Sequence, residues 1–297
     1  MTIRNAIAVG TLVAASVLAL VSTPASCGSP ASVGVGSLSA TEAPAKIMMV
    51  VLENTNYADA LRQPFLASLA GRGALLTNFA AEAHPSQPNY IALISGSTFG
   101  VTSDGDVSLD QRHLGDLAEG KGLKWKVYAE SYPGNCFLGA RAGTYVRKHT
   151  PFLSFKDVQH DTRRCGNIVA ASQLASDVRD GKLPQYSLYV PDLKDDGHDT
   201  GVAYADHWLS ATFGPLLGDP SFTKRLLLVV TFDESKGSLF GGNHVATILI
   251  GDAVKPGTIL DRKFNHYSLL RLVEDLLGLG SLGEGDADAT VITGWNK

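Results

Sequence analysis

Three stretches of the chain are apolar almost without interruption over the length of a β-strand, at residues 46–52, 225–232 and 245–250. Such runs are typical of strands that a parallel sheet buries on both faces. Shorter runs with strand character predict further strands at residues 74–81, 124–129 and 186–190.

The intervals between these strands have the spacing of apolar residues that predicts helices. We expect helices at residues 59–72, 89–94, 109–120, 168–179, 202–217 and 267–277, and irregular structure at 131–165. Strands that alternate with helices predict an α/β class with a mostly parallel central sheet. The length of 297 residues suits one domain of this kind, which we assign to residues 45–297.

The first 27 residues have the pattern of a secretory signal peptide. Arg4 supplies a positive charge, residues 6–21 are apolar, and residues 23–26 offer small side chains for cleavage. A retained N-terminal anchor is the alternative. Cys27 follows directly, so lipid attachment at this residue is the membrane attachment expected of a cleaved chain. Residues 28–44 are rich in Ser, Gly, Ala and Pro and predict a flexible segment. The predicted location is therefore secreted or in the cell envelope.

Export also bears on the remaining cysteines. Cys136 and Cys165 form the only pair left after residue 27, and an oxidising compartment favours a disulfide between them. Two unrelated buried thiols are the alternative.

The charge of the chain argues against a nucleic-acid partner. The sequence has 25 basic and 29 acidic residues, a formal charge of -4, and no long basic run. A protein that binds a phosphate backbone is expected to have a positive patch.

Polar residues follow the ends of the predicted buried strands. Ligands of a parallel sheet bind outside the carboxyl ends of its strands. The polar residues there are Glu53 and Asn54, then Asp192, Asp195, Asp196 and His198, then Asp233 and Glu234, with His244 just before the strand at 245–250. Each residue alone could be a cap or a surface charge. Together, their oxygen and imidazole donors predict a site for a divalent cation.

Ser86 lies in the string His-Pro-Ser-Gln-Pro-Asn-Tyr, at residues 84–90, where a helix is expected to begin. Two prolines, Pro85 and Pro88, restrict the backbone on either side. The amides at a helix N-terminus favour a bound phosphate. A serine hydroxyl becomes a nucleophile when a base or a cation lowers its pKa. Ser86 is therefore a candidate nucleophile, with a helix cap as the alternative.

These motifs resemble the alkaline phosphatase superfamily. Residues 86–89 are similar to the Thr-Phe-Pro-Asn nucleophile motif of its nucleotide pyrophosphatase branch. Closer still is the bacterial phosphoesterase family that holds acid phosphatases and phosphatidylcholine-type phospholipases C. Its members have Glu-Asn after a buried strand, a Thr-Phe-Asp-Glu-like string and a Gly-x-His, which match Glu53-Asn54, residues 231–234 and residues 242–244. Residues 265–278 resemble its last helix.

The resemblance implies a three-layer sandwich and a set of site residues. Ser86 would be the nucleophile, and Asn54 and Asn89 would bind phosphate oxygens. One or two divalent ions, of Ca, Zn, Mg or Mn, would bind through Glu53, Asn54, Ser86, Asp233 and Glu234, with Asp192, His198 and His244 at a second ion or at the leaving group. Glu234 stands where two-metal relatives have a histidine, which leaves the metal count open. His84 and His266 are expected to have structural or supporting roles.

The resemblance and the compact domain together predict a secreted, metal-dependent acid phosphatase. It would hydrolyse a small phosphomonoester through a phosphoserine, with His198 or His244 protonating the leaving group. A phospholipase C or phosphodiesterase of the same family is the nearest alternative. A non-catalytic, exported protein that binds phosphate or metal is the alternative from another class.

Overall fold

The computed structural model describes residues 43–237 and 242–297. Twelve strands lie in these residues: β1 (Lys46–Leu52), β2 (Ala74–Leu76), β3 (Phe79–Ala80), β4 (Trp125–Ala129), β5 (Arg141–Ala142), β6 (Tyr145–Val146), β7 (Ile168–Ala170), β8 (Tyr186–Val190), β9 (Leu226–Phe232), β10 (Thr247–Ile250), β11 (Thr258–Leu260) and β12 (Phe264–Asn265). Eight of them form the main sheet, in the order β11-β2-β10-β9-β1-β8-β4-β7. The predicted signal peptide at 1–27, Cys27 and residues 28–42 of the predicted flexible segment lie outside the described residues.

The main sheet is mostly parallel, as the sequence predicts. β1 pairs in parallel with both β8 and β9, and β4 pairs in parallel with β7 and β8. β10 runs antiparallel to β9 and to β2. The beginning of β10 therefore lies at the same edge as the carboxyl ends of its neighbours. This reversal brings the residues before β10 to the edge where ligands of such sheets bind.

The central strands are covered on both faces. Every residue of β8 and β9 is buried, as is every residue of β1 after Lys46. Successive side chains of a strand point to opposite faces, so complete burial requires cover on both sides. The domain is therefore a three-layer α/β fold, and its core lies against β1, β8 and β9.

Eleven α-helices occur in the described residues: α1 (Tyr57–Leu61), α2 (Pro64–Arg72), α3 (Ser86–Ser95), α4 (Leu114–Gly120), α5 (Lys156–Gln159), α6 (Thr162–Cys165), α7 (Gln173–Arg179), α8 (Val202–Leu216), α9 (Pro220–Thr223), α10 (His266–Leu277) and α11 (Gly285–Asp288). Among them α3 packs against α10, and α2 packs against α8. None of the helices in residues 43–237 and 242–297 has the length and apolar character needed to cross a bilayer.

Three helix predictions differ from the structure. The predicted helix at 109–120 begins only at Leu114, because His113 caps it and Leu109 pairs with Phe155 instead. Pro64 begins a new helix, so the predicted helix at 59–72 is divided into α1 and α2, because proline fits the first turn of a helix better than its interior. The predicted helix at 168–179 is wrong in its first part, since Ile168–Ala170 forms the edge strand β7 beside β4. The β-branched Ile168 and Val169 favour a strand there, and only α7 remains helical.

Residues 131–165 form an excursion that lies between β4 and β7. It contains α5, α6 and two 3₁₀-helices, Arg147–His149 and Pro151–Ser154. The predicted disulfide joins Cys136 to Cys165, with their Cα atoms 5.7 Å apart. The excursion also packs on the core, because Phe152 stacks on Trp125 with ring centroids 4.2 Å apart. The 3₁₀-helix at 147–149 itself packs against α3.

Candidate active site

The carboxyl ends of β1 and β9 meet at one edge of the sheet. Leu52 and Phe232 are register partners at the last position of these strands. The residues that follow are Glu53 and Asp233, and the Asp233 amide donates a hydrogen bond of 3.0 Å to the Leu52 carbonyl. The Asn54 amide then donates to Asp233 Oδ1 at 3.0 Å. Two carboxylates that are distant in the sequence are thereby fixed side by side.

Ser86 is the first residue of α3 and faces these carboxylates. Ser86 is only 2% exposed, and its Oγ donates a hydrogen bond of 3.1 Å to Glu53 Oε2. Burial raises the pKa of Asp233 and of Glu234, and the Ser86 hydroxyl lies close enough to both to oppose that rise. The helix therefore presents one hydroxyl group at the point where three carboxyl groups converge.

The three carboxyl groups resist ionisation when no cation is present. Burial raises the pKa of Asp233 to about 6. Burial and then the charge of Asp233 raise the pKa of Glu234 to about 8. Burial, together with the charges of Asp233 and Asp196, raises the pKa of Glu53 well above its usual range. Without a positive charge nearby, these groups therefore hold protons, and their ionised forms would require a cation for stability.

A divalent cation fits this arrangement. Within the part of the chain that the structure describes, the buried Asp233 Oδ2 has no hydrogen-bond partner, which leaves a donor atom for a ligand. The donors on offer are carboxylate, amide and hydroxyl oxygens from Glu53, Asn54, Ser86, Asp233 and Glu234. Oxygen donors of this type suit a hard cation such as Mg²⁺, Ca²⁺ or Mn²⁺.

The raised pKa values predict how the metal-free protein responds to pH. Asp233, Asp196 and Glu234 have folded pKa values of about 6, 8 and 8, against about 4 in an unfolded chain. The folded state therefore binds protons more tightly, so its stability is highest in acid and falls as pH rises through 6 and 8. We expect the thermal midpoint of EDTA-treated protein to decrease from pH 5 to pH 8, and added divalent cation to reduce that slope. A midpoint that increases over this range would contradict the buried-charge interpretation.

The second oxygen of Glu53 contacts two residues that no sequence pattern related to the site. Tyr90 donates its hydroxyl to Glu53 Oε1 at 2.7 Å, and His149 Nε2 lies 3.3 Å from the same atom. The other nitrogen, His149 Nδ1, lies 3.3 Å from Asp196 Oδ2. His149 also stacks on Tyr90, with ring centroids 4.9 Å apart. Glu53, His149 and Asp196 are fully buried or nearly so and form a group that could itself hold a cation.

Different signals could have revealed these three residues. Tyr90 follows Ser86 by four positions, which puts both on one face of α3. Asp196 was present in the acidic run after β8, but no feature distinguished it from Asp192. His149 lies within the excursion at 131–165, and a residue there has no sequence pattern that relates it to a strand end.

The two asparagines predicted to bind substrate use their amides in different ways. Asn54 donates its Nδ2 to Glu53 Oε2 at 2.6 Å, within the carboxylate cluster. Asn89 Oδ1 accepts from the backbone amides of Glu82 and Ala83, both at 2.9 Å, and its Nδ2 donates to the Ala83 carbonyl at 2.8 Å. Asn89 therefore fixes the loop that leads to Ser86, and its contact with substrate stays a prediction.

Asp192, predicted as a metal ligand, belongs to a neighbouring group. Its Oδ2 accepts from Ser131 Oγ at 2.8 Å and from Thr144 Oγ1 at 2.5 Å. With Glu130 and Asp195 it forms a second set of acidic side chains close enough to share a cation. Asp196, and not Asp192, is the residue of this loop that lies beside His149. A metal-binding role for Asp192 stays a prediction.

The two histidines predicted to act at the leaving group have partners outside the carboxyl cluster, and their catalytic role stays a prediction. His198 is exposed, with its Nδ1 2.8 Å from Asp199 Oδ1. His244 stacks on Tyr57, and its Nε2 lies 2.9 Å from the Thr77 carbonyl. Two others have supporting positions: His84 Nδ1 is 2.6 Å from Glu234 Oε2, and the buried His266 Nε2 is 3.1 Å from the Phe232 carbonyl.

Solved structures with the same architecture belong to one superfamily. A protein of the alkaline phosphatase superfamily from Vibrio parahaemolyticus aligns with a TM-score of 0.58 and 13% identity, over 84% of this chain and 71% of its own. Human ectonucleotide pyrophosphatase/phosphodiesterase 5 aligns with a TM-score of 0.55 and 11% identity, over 80% of this chain and 96% of its own. At this level of identity the likeness establishes the fold: the domain is alkaline phosphatase-like.

The sequence comparison is more specific, and the chain belongs to the Phosphoesterase family, whose model matches residues 50–280. A probable acid phosphatase of Kluyveromyces lactis is 36% identical over 260 residues, which are 83% of this chain and 61% of that protein. An acid phosphatase of Aspergillus fumigatus is 33% identical over 83% of this chain and 58% of its own length. The chain thus spans about six-tenths of these fungal relatives.

A third relative is matched over most of its length. It is a phosphatidylinositol-3-phosphatase of Mycobacterium tuberculosis, 33% identical over 246 residues, which are 80% of this chain and 79% of that protein. The family resemblance drawn from Glu53-Asn54, residues 231–234 and residues 242–244 is therefore confirmed.

Proposed function

We propose that the chain is a metal-dependent acid phosphatase that hydrolyses phosphomonoesters through a phosphoserine formed on Ser86. The observation that carries the proposal is the position of Ser86 Oγ, 3.1 Å from Glu53 Oε2 and within the same carboxyl cluster as Asp233 and Glu234. A protein that only binds phosphate or metal has no need for a hydroxyl there, whereas a nucleophile requires such activation. Relatives named acid phosphatase support the same reaction.

Glu53, Asn54, Ser86, Asp233 and Glu234 would hold the divalent cation. When bound, it would neutralise the carboxylates, lower the pKa of the Ser86 hydroxyl and offset charge on the phosphoryl group. Removal of the cation with a chelator should therefore abolish activity. It should also destabilise the fold, because the repulsion between the buried carboxylates is no longer offset.

The reaction would proceed by two displacements at phosphorus, and different side chains would assist each of them. Ser86 Oγ attacks phosphorus as the bond from phosphorus to the ester oxygen breaks, and the serine proton passes toward Glu53 Oε2, which already accepts it. A histidine donates a proton to the departing alcohol. Water gives a proton to this histidine as it attacks the phosphoserine, the bond from phosphorus to Ser86 Oγ breaks, phosphate leaves, and Ser86 Oγ recovers its proton from Glu53. The buried amides of the first turn of α3 would orient the phosphoryl oxygens.

His198 is our first choice for the residue that protonates the alcohol. Its Nδ1 lies 2.8 Å from Asp199 Oδ1, which orients the ring and leaves Nε2 as the nitrogen to meet a leaving group. We expect His198→Gln to slow hydrolysis of an alkyl phosphate by about 10²-fold or more, but to slow nitrophenyl phosphate far less, because nitrophenolate leaves without a proton. The matched variant is His244→Gln, and a larger leaving-group effect in that variant would transfer the role to His244.

The proposal is tested by release of nitrophenol from mono- and bis-nitrophenyl phosphate, with and without EDTA. We expect activity on the monoester that EDTA removes and that a divalent cation restores. Faster hydrolysis of the diester would favour the phospholipase C or phosphodiesterase alternative. No hydrolysis of either ester, together with tight binding of inorganic phosphate, would favour the non-catalytic alternative.

A phosphoinositide is a second candidate substrate within the same reaction class. The observation that favours it is the match to a phosphatidylinositol-3-phosphatase over 79% of that protein, a larger share than in the fungal relatives. Release of phosphate from a short-chain phosphatidylinositol 3-phosphate, measured beside the nitrophenyl monoester, distinguishes a lipid phosphatase from a phosphatase of broad range.

We also propose that the protein acts outside the cytoplasm. The signal-like pattern of residues 1–27 and the Cys136–Cys165 disulfide support export. Detection of the protein in the culture medium, or its retention on cells through lipidated Cys27, would distinguish secretion from attachment.

A further inference from the structure

Two ion pairs connect the loop at residues 97–112 to the 3₁₀-helix at 147–149. Arg147 Nη2 lies 2.9 Å from Asp106 Oδ1, a side chain that is 82% exposed. Lys148 Nζ lies 2.5 Å from Asp104 Oδ2, with side-chain exposures of 19% and 34%. The first pair joins a nearly buried guanidinium group to an exposed carboxylate, whereas the second joins two partly buried groups, and its Asp104 also contacts α3.

Asp104 connects Lys148 to the beginning of α3. Its Oδ1 accepts a hydrogen bond of 3.0 Å from the Gln87 amide, and its Oδ2 faces Lys148. Gln87 follows Ser86 directly, and the next residue, Pro88, has no N–H. The Gln87 amide is thus one of few donors in the first turn of α3, beside the nucleophile. A helix-terminal amide together with a lysine is a combination that binds phosphate oxygens.

Lys148 also lies close to the carboxyl cluster. The next residue, His149, is 3.3 Å from Glu53 Oε1. Asp104, which pairs with Lys148, accepts a hydrogen bond from the amide of the residue that follows Ser86. A phosphoryl group attached to Ser86 Oγ would therefore lie within reach of the lysine.

We propose that Lys148 is a substrate-binding residue, which leaves Asp104 and pairs with a phosphoryl oxygen when substrate binds. In the free protein the Asp104 carboxylate occupies the lysine and the Gln87 amide, and it therefore competes with the substrate for both. The inference rests on the phosphatase function proposed above and adds a source of specificity to it. A phosphomonoester carries up to two negative charges at neutral pH and a diester only one. Lys148 loses its contact with one carboxylate charge when it binds the substrate. A dianionic monoester more than replaces that charge, whereas a diester only equals it, so the exchange favours the monoester.

The alternative is a structural pair in which Asp104 caps α3 and Lys148 is its counterion. Asp104→Asn keeps an oxygen for the Gln87 amide and removes only the charge. If the pair is structural, the loss of that charge weakens the repulsion of phosphate equally with and without the lysine. If Asp104 competes with the substrate for Lys148, the gain in phosphate affinity requires the lysine and disappears in the double variant.

The experiment compares Lys148→Met, Asp104→Asn, the double variant and the control Asp106→Asn, which removes the same charge from the same loop. In the metal-loaded protein we measure KM and kcat for nitrophenyl phosphate, the inhibition constant of inorganic phosphate, and phosphate binding by calorimetry. We expect Lys148→Met to weaken phosphate binding and raise KM by about 10- to 100-fold, the worth of a charged hydrogen bond, with a smaller change in kcat. Asp104→Asn should tighten phosphate severalfold.

The double variant should match Lys148→Met, because no lysine remains to be released. Asp106→Asn should match the unaltered protein. An unchanged phosphate affinity in Lys148→Met or a weaker affinity in Asp104→Asn would overturn the inference while the phosphatase proposal stands. If the unaltered protein hydrolyses neither nitrophenyl ester, the proposed function fails instead, and the calorimetric comparison still decides the role of Lys148.

Discussion

Ser86→Ala is expected to lower kcat for nitrophenyl phosphate by on the order of 10³-fold or more, because it removes the atom that bonds to phosphorus. The substitution deletes a single oxygen from the first turn of α3. Glu53 keeps its hydrogen bonds from Tyr90 and Asn54, so the carboxyl cluster should retain its geometry and its metal. The measurements are steady-state turnover and metal content by elemental analysis of the same sample.

A matched control lies at the other end of the same helix. Ser95 is also buried and donates its hydroxyl to the Ile91 carbonyl, so Ser95→Ala tests the effect of losing a buried serine hydroxyl from α3. We expect it to retain most of the activity. Full activity in Ser86→Ala would remove the phosphoserine mechanism, and a joint loss of metal and activity would assign Ser86 a structural part in the site.

The second large effect is expected for Asp233→Asn, which should weaken cation binding and stabilise the metal-free protein. Asp233→Asn keeps an oxygen for the Asn54 amide but removes a buried carboxyl group. Burial raises the pKa of that group to about 6. Above pH 6 that charge destabilises the metal-free fold, so the variant should be more stable without metal by roughly 1–3 kcal/mol. Its affinity for the divalent cation should fall by more than about 100-fold, because even supporting partners of metal ligands contribute up to that much.

Thermal unfolding in EDTA and calorimetric titration with Mg²⁺, Ca²⁺ and Mn²⁺ measure the two halves of this prediction. Asp252→Asn, a substitution in the turn after β10, is the control for an acidic residue lost elsewhere. Unchanged metal affinity in Asp233→Asn would show that the cation binds at another group, such as Glu53, His149 and Asp196. A less stable metal-free variant would mean that the carboxylate is compensated within the fold.

The sequence predicts the parts of the fold and site that depend on strand ends. Runs such as 46–52 and 225–232 predict buried parallel strands, and the residue after such a run lies at the ligand-binding edge. Glu53 and Asp233 are found in this way, because each needs only its own strand for identification. The strand β7 was missed because three apolar residues carry no period that separates a strand from a helix.

The residues that the sequence could not supply come from the excursion. His149 and Lys148 follow no buried strand and occupy no regular element long enough to have a pattern. Their positions depend on tertiary contacts: the stacking of His149 on Tyr90, the pairing of Lys148 with Asp104, and the disulfide. Asp196 and Asp192 show a similar limit, because choosing between two aspartates in one loop requires knowledge of which one faces His149.

The Cys136–Cys165 disulfide has a consequence for when and where the protein becomes competent. The disulfide closes the segment that contains Lys148 and His149. Neither of its cysteines belongs to the carboxyl cluster. A chain newly made in a reducing cytosol would have its strand-end acids but not this covalent fastener. For the exported phosphatase proposed above, this bond would form only in an oxidising compartment. We expect reduction with dithiothreitol to raise KM and to leave the metal content unchanged.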